Sequence, residues 1–306
     1  MSRRAPHAHT ATCWGEILWD MFPDGRKLGG APSNVAVHLA ALRQPVHLVS
    51  RVGTDDLGHE ARETLRQRNV DTTLVQLDPQ RPTGIVGVTL HDGHARYSLE
   101  PDRAWEHIHC PPETARHLAN ADLLCFGTLS QRSPRGRESL AAALAAVPPS
   151  CIRLVDPNLR PRHIDFDLLL WSLQHADAVK INDDEARIIE GHFGVKDATT
   201  WLHHDLGVRW VALTRGARGS RLSTTDHHHD HPGFPVSGGD SVGAGDSFTA
   251  VFGHALLENT PLPAMNTAAN QYAAFVASKR GATPTVPTPV LSTTLALLAG
   301  EHTLGS

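Results

Sequence analysis

The stretch ADLLCFGTLSQRSPRGRESLAAALAAVPPSCIRLVD, residues 121–156, joins two short apolar runs through a helical one. ADLLCF (121–126) and CIRLVD (151–156) read as buried strands, and PRGRESLAAALAAV between them reads as a helix. A strand, a helix and a second strand in that order make a unit whose strands lie parallel in one sheet. The same alternation continues outward. Downstream, DAVKIN (177–182) and RWVALT (209–214) are strands, DDEARIIEG is a short helix and TTWLHHDLG a longer one. Helices at about 244–258, 262–279 and 288–299 close the chain. Upstream, TCWGEILW (12–19) reads as a first strand and SNVAVHLAALR (33–43) as a helix capped by Ser33. PVHLVSRVG (45–53) is the next strand, and GHEARETLRQRN (58–69) is a polar-faced helix that stops at Asn69. The predicted fold is α/β: a central, mostly parallel sheet flanked by helices on both faces. Ligands in such sheets bind beyond the carboxyl ends of the strands.

Residues 72–105 interrupt the pattern. LVQL, TGIVGVTL and HARYSL are β-rich, and Asp92-Gly93 is a hairpin signal. With no helix among them, these runs predict a small sheet apart from the main one.

Composition narrows the function classes. The 306 residues carry a formal charge of −4, with 40% apolar and 20% charged residues, as in an ordinary globular protein. There is no long Lys/Arg run, which argues against nucleic-acid and membrane-surface partners. The four cysteines form no CxxC pair, so reduced thiols and a cytoplasmic location are expected. The polar start MSRRAPHAHTAT lacks an apolar core, and the run LAAALAAV (140–147) is too short to span a bilayer. Histidine is abundant, with 21 residues. HHHDH (227–231) reads as a solvated loop before Pro232-Gly233, because adjacent residues rarely supply the fixed geometry of a metal site.

One motif carries chemistry. GGDSVGAGDSF (238–248) is a glycine-rich turn opening a helix near Ala244. Gly243, Ala244 and Gly245 leave backbone N–H groups uncovered at a helix N-terminus, which attracts phosphate oxygens. Asp246, one step further, places a carboxylate where it could take a proton from a hydroxyl attacking phosphorus. The pattern suits phosphoryl transfer. No GxxxxGK[ST] is present, so a P-loop kinase is not supported.

LGGAPSNVAVHLAALR followed by VSRVGTDDLG (28–58), together with DSVGAGDSF, resembles the two signatures of the ribokinase-like (PfkB) sugar kinases. GEILWD (15–20), VDPNLRPR (155–162), KINDDE (180–185), LTRGARG (213–219) and SKRGATP (278–284) look like the fructokinase branch. The chain departs from the pattern at Arg43, at Val251 and at Gly238-Gly239, where the family has small, small and β-branched residues respectively.

The resemblance implies a single ribokinase-like domain over 1–306, with a β-rich lid from about 12–30 and 72–105. It implies an ATP-dependent kinase acting on a primary hydroxyl, with Mg²⁺ as a cofactor and fructose as the first candidate acceptor. Ribose, 2-keto-3-deoxygluconate and a nucleoside remain open, as does a non-catalytic nucleotide- or sugar-binding regulator. Asp246 would be the general base, with Gly243, Ala244 and Gly245 as the anion hole and Arg160 near the transferring phosphate. Asp20, Gly30 and Asn34 would contact the sugar, with Tyr97, Arg103 and Trp105 as lid contacts. Asn182 and Glu185 match an element near the magnesium–phosphate network, acting through water. Thr214, Gly216, Gly219 and Asn270 would line the nucleotide. Asp240, Val242 and Gly281 resemble a potassium site, and a homodimer through the small sheet is in keeping with the family.

Overall fold

Burial on alternating sides of short strands drives this chain into two sheets. The computed structural model describes residues 9–22, 25–91, 94–160 and 164–300. The strands begin with β1 (Ala11–Trp14), β2 (Leu18–Phe22), β3 (Gly25–Gly29) and β4 (Val46–Gly53). They continue with β5 (Val75–Asp78), β6 (Gly84–His91), β7 (His94–Leu99), β8 (Leu123–Phe126) and β9 (Ile152–Val155). The last four are β10 (Ala178–Asn182), β11 (Trp210–Thr214), β12 (Ser220–Ser223) and β13 (His228–His231). Helices α1 (Ala31–Ala41), α2 (Asp56–Gln67), α3 (Pro112–Leu118), α4 (Pro134–Ala146) and α5 (Phe166–Gln174) come first. They are followed by α6 (Asp183–Phe193), α7 (Ala198–His204), α8 (Ala244–Leu257), α9 (Leu262–Ala277) and α10 (Thr288–Leu298).

Nine strands form the large sheet in the order β13-β12-β11-β10-β9-β8-β1-β4-β5. From β11 to β5 neighbouring strands are parallel, and β12 and β13 turn antiparallel at one edge. Side-chain alternation sorts each strand between two cores. In β8, Leu123 and Cys125 join the core under α1, α2, α8, α9 and α10. Leu124 and Phe126 join the core under α3 to α7. This is the doubly covered sheet the alternation predicts. No helix among the described residues is long and apolar enough to cross a membrane.

Five expectations change. The run 12–19 is two strands in different sheets, divided at Gly15-Glu16. LVQL belongs to β5 and pairs with β4 at the edge of the large sheet, Ser50 against Val75. The small sheet, β3-β2-β6-β7, is therefore built from 18–22, 25–29, 84–91 and 94–99. HHHDH contributes β13, an edge strand that lacks apolar alternation and is held by ladder bonds to β12 and by the Arg221–Asp230 ion pair. Helix α7 is shorter than α6, seven residues against 11. Ser33 does not cap α1: Gly30 stands at the cap, and the Ser33 hydroxyl donates to the Gly29 carbonyl at 2.8 Å. The Asp92-Gly93 hairpin signal lies outside the described residues.

Candidate active site

The carboxyl ends of β1, β8, β9, β10 and β11 open toward one face, and most of the expected site residues lie just beyond them. A cleft there is lined by Glu16, Pro32, Cys125, Thr128, Asp156 and Arg160. Helices α1 and α8 both present their first turns to this region.

Asp246 lies in the first turn of α8, and its Oδ2 accepts from Asn34 Nδ2 at 2.7 Å. Burial, with Asp156 nearby, pushes the Asp246 carboxyl up to about 6, and the Asn34 bond, Lys180 and Arg160 oppose that rise. Gly243 caps the helix with φ 76°, and a Cβ there would sit 2.3 Å from the Ala282 carbonyl oxygen. Only glycine fits both conditions. The N–H groups of Gly245 and Asp246, in the first turn, have no place in the helix ladder. The expected anion hole is narrower than the motif suggests, because the Ala244 N–H donates to the Ser241 carbonyl at 3.2 Å.

Asp20, on β2, faces Lys27 across the β2–β3 pair. Burial raises its carboxyl to about 6, with Arg160 and Lys27 pulling the other way. Gly30 backs against the Glu16 carbonyl, where a Cβ would come within 2.4 Å. Arg160 is exposed, donates to Asn158 Oδ1 at 2.8 Å and lies within the field of Glu16, Asp20 and Asp246.

Below these residues is a buried polar floor. Lys180 Nζ lies 3.2 Å from Asp156 Oδ2, and that same oxygen accepts from Thr249 Oγ1 at 2.7 Å. Glu185 closes a capping box at the start of α6: Oε2 accepts from Asn182 N and Oε1 from Leu159 N, both at 2.8 Å. Burial raises the Glu185 carboxyl despite Lys180 beside it. With both oxygens already accepting amide protons, Glu185 fits a metal reached through water better than a direct ligand.

The nucleotide-side candidates divide. Thr214 ends β11 and Gly216 opens the short turn after it, with open space around Gly216. Gly219 passes so close to β13 that a Cβ would strike the His231 carbonyl. Asn270 is buried, and its amide nitrogen is engaged with Ser220 Oγ at 2.7 Å and Asn266 Oδ1 at 2.9 Å. Through that nitrogen it joins α9 to β12.

Asp240, Val242 and Gly281 do come together. Asp240 Oδ2 accepts from Gly281 N at 2.9 Å and Oδ1 from Val242 N at 3.1 Å. The paired glycines before Asp240 take φ 76° each, and Gly239 backs onto the Ala277 carbonyl. They follow a left-handed path that β-branched residues do not take, on an exposed segment where only Gly239 is closely backed. Among the described residues no group of three His, Cys, Asp or Glu side chains could hold a metal ion.

On the small sheet, Tyr97 pairs with Val88 in the β6–β7 ladder. Arg103 forms an ion pair with Glu100. Trp105 is fully buried beneath the Arg132 guanidinium, 4.6 Å from the ring centre, and serves packing. Sequence reasoning assigned no role to Glu16, Asp156 or Lys180. Glu16 is 4% exposed, its Oε1 accepts from Ala31 N at 3.1 Å, and burial pushes its carboxyl up to about 7. The signal available was a charge next to an apolar strand: Lys180 inside AVKIN, Asp156 ending IRLVD, Glu16 following ATCWG.

Comparison with known proteins places this arrangement. The pfkB family carbohydrate kinase profile matches residues 24–289. A fructokinase of Klebsiella pneumoniae is 30% identical over 248 residues, covering 77% of this chain and 80% of its own. The crystal structure of an uncharacterized sugar kinase from Pyrococcus horikoshii superposes with a TM-score of 0.83 at 27% identity, covering 95% of this chain and 100% of its own. A double mutant of Vibrio cholerae fructokinase, with fructose, ADP and a potassium ion bound, has the same fold at a TM-score of 0.80 and 23% identity, covering 95% and 100%. The chain belongs to the pfkB family of carbohydrate kinases and is an ATP-dependent sugar kinase with the ribokinase-like α/β fold.

Proposed function

We propose that this kinase transfers the γ-phosphoryl group of ATP to a primary hydroxyl of a sugar, with fructose as the acceptor and fructose 6-phosphate as the product. The observation that carries this reading is the Asn34–Asp246 bond of 2.7 Å, which ties the expected sugar helix to the expected base. Asp246 takes the hydroxyl proton as the sugar oxygen bonds to phosphorus, and the bond from phosphorus to the ADP oxygen breaks. A carboxyl held at about 6 is ionised at neutral pH and still basic enough to accept that proton. The N–H groups of Gly243 and Gly245 face the charge on the moving phosphoryl, and Arg160, already within the field of Asp246, adds positive charge to it. Glu16, Asp20 and Asn34 bind the sugar hydroxyls.

Mg²⁺ would enter with ATP, near Asn182 and Glu185, and would neutralise phosphate charge. Asp240, with the carbonyls around Val242 and Gly281, offers hard oxygens to a monovalent cation such as the potassium of the Vibrio cholerae structure. The four-stranded sheet acts as a lid that excludes water.

The test is ADP release from Mg-ATP over fructose, ribose, glucose, 2-keto-3-deoxygluconate and adenosine, for wild type and Asp246→Asn. Fructose-dependent release, cut roughly 10²–10⁴-fold in the variant with ATP binding kept, is expected. Release with another acceptor replaces fructose in the reading, and a near-wild-type rate in the variant removes Asp246 as the base.

A further inference from the structure

Lys180 is the one lysine or arginine among the buried described residues, 6% exposed, in the middle of β10. Burying an ammonium costs several kcal/mol unless carboxylates answer it. Three do so here. Burial works against the charged form, yet Asp156, Glu185 and Asp246 outweigh it and hold the lysine pKa above its usual value. One carboxylate would neutralise one lysine, so a floor holding three is short of positive charge even before a phosphate arrives.

The position of the ammonium is specific. A Cβ built on Gly245 would lie 3.1 Å from Lys180 Nζ. Gly245 has no positive φ, so its lack of a side chain is explained by space for this ammonium rather than by backbone conformation. Lys180 therefore lies directly under the first turn of α8, one residue from Asp246. Its partner Asp156 is bonded to Thr249, one turn further along the same helix, and Thr249 Oγ1 is also 3.1 Å from the Gly245 carbonyl.

We propose that Lys180 is a positioning residue for phosphoryl transfer. From beneath Gly245 it supplies positive charge to the anion hole, and through Asp156 and Thr249 it anchors the turn that carries Asp246. This rests on the reading of Asp246 as base. The groups that face Asp246 are Glu16 after β1, Asn34 on α1, Cys125 on β8, Asp156 and Arg160 after β9, and Lys180 on β10. Lys180 stabilises the ionised base and Asp156 opposes it, so their removal moves the base in opposite directions.

The test compares wild type, Lys180→Met, Asp156→Asn and the double variant in the full-length chain. Melting temperature, the rise in melting temperature on adding Mg-ATP, kcat and KM for the sugar, and the pH profile of kcat/KM are read. Lys180→Met is expected to lower kcat roughly 10–10³-fold with sugar KM little changed, and to move the acidic limb to higher pH. Asp156→Asn moves that limb to lower pH. If Lys180→Met alone fails to fold, the double variant decides, because it leaves neither charge buried without its partner. A double variant that folds yet keeps a low kcat supports the proposal. Recovery of the wild-type kcat in the double variant shows that Lys180 merely balances Asp156, and overturns it. An unmoved acidic limb in Lys180→Met also overturns it. A wild-type chain without sugar-dependent ADP release would sink the functional reading instead. The Mg-ATP-induced melting shift still tests Lys180 in that case: it shrinks in the double variant if Lys180 serves the phosphate, and an unchanged shift rejects the proposal.

Discussion

Asn34 Nδ2 and Asp246 Oδ2 meet at 2.7 Å across 212 residues of sequence. The bond joins the first turns of two helices, α1 and α8, that also pack against each other in the core under one face of the sheet. A donor aimed at a carboxylate favours its ionised form, and this one offsets part of the burial that raises Asp246. Asn34→Ala is expected to lower kcat/KM roughly 10–100-fold, the range for a hydrogen bond to a charged group. The variant's acidic limb moves to higher pH, so the loss is larger at pH 6 than at pH 8. Steady-state rates at the two pH values check this, and equal losses would mean that Asn34 touches only the sugar.

Glu16 links the cleft to stability. Its carboxyl is held at about 7 in the folded protein against 4.5 for the free group, so between those values the folded state binds more protons than the unfolded one. Stability from this residue is therefore fully present below about pH 4.5 and lost as pH rises through 7. Glu16→Gln removes the cost of ionisation. The variant is expected to be no more stable than wild type at pH 4.5 and more stable at pH 8, by on the order of 3 kcal/mol. Denaturant unfolding at both pH values measures the difference. A gain of equal size at both would show that ionisation is not the cause.

Much of this architecture was legible because buried strands and amphipathic helices carry their own periodicity. The 121–156 unit and the three closing helices lie within a few residues of where apolar spacing puts them. Spacing says nothing about which sheet a strand joins. VQLD and GIVGVTLH are equally β-rich, yet the first pairs with β4 and the second with β2. Polar β13 has no apolar period at all; backbone pairing with β12 makes it a strand. In the site, the glycine-flanked Asp246 and the Asn182 cap are local patterns, while Lys180, Asp156 and Glu16 gain meaning only from partners far along the chain. Asn270 is read the same way: Ser220, 50 residues away, and Asn266 hold its amide nitrogen.

Gly243 and Gly245 are predicted to respond differently to alanine. At Gly243 a methyl group meets the Ala282 carbonyl at 2.3 Å in a left-handed conformation, so backbone must move. Gly243→Ala is expected to cost on the order of 2–4 kcal/mol and most of the activity. At Gly245 the methyl group meets the end of a lysine side chain at 3.1 Å. Gly245→Ala should keep nearly the wild-type melting temperature and lose turnover as the ammonium is displaced. Melting curves and kcat for the two variants separate these outcomes, and equal destabilisation would contradict the assignment.

Arg43 is strained, and relieving it should stabilise the protein. Helix α1 ends in a Schellman motif: Arg43 N donates to Ala40 O at 2.9 Å and Gln44 N to Leu39 O at 3.0 Å. The residue after the cap is then left-handed, and Arg43 has φ 64°. Helices α2 and α8 end with the same pair of bonds, but the left-handed residues there are Asn69 and Asn259, with φ 61° and 52°. Asparagine tolerates this conformation; arginine pays roughly 1–2 kcal/mol. Glycine removes that strain and returns about 0.4–1 kcal/mol to the unfolded chain as backbone freedom. Arg43→Gly should therefore gain about 0.5–1 kcal/mol, a rise of about 1–4 °C in melting temperature. Arg43→Asn should fall between the two. The exposed side chain is far from the cleft, so kcat should not move in either variant. A lower melting temperature for Arg43→Gly would mean that the arginine side chain contributes more than its backbone costs.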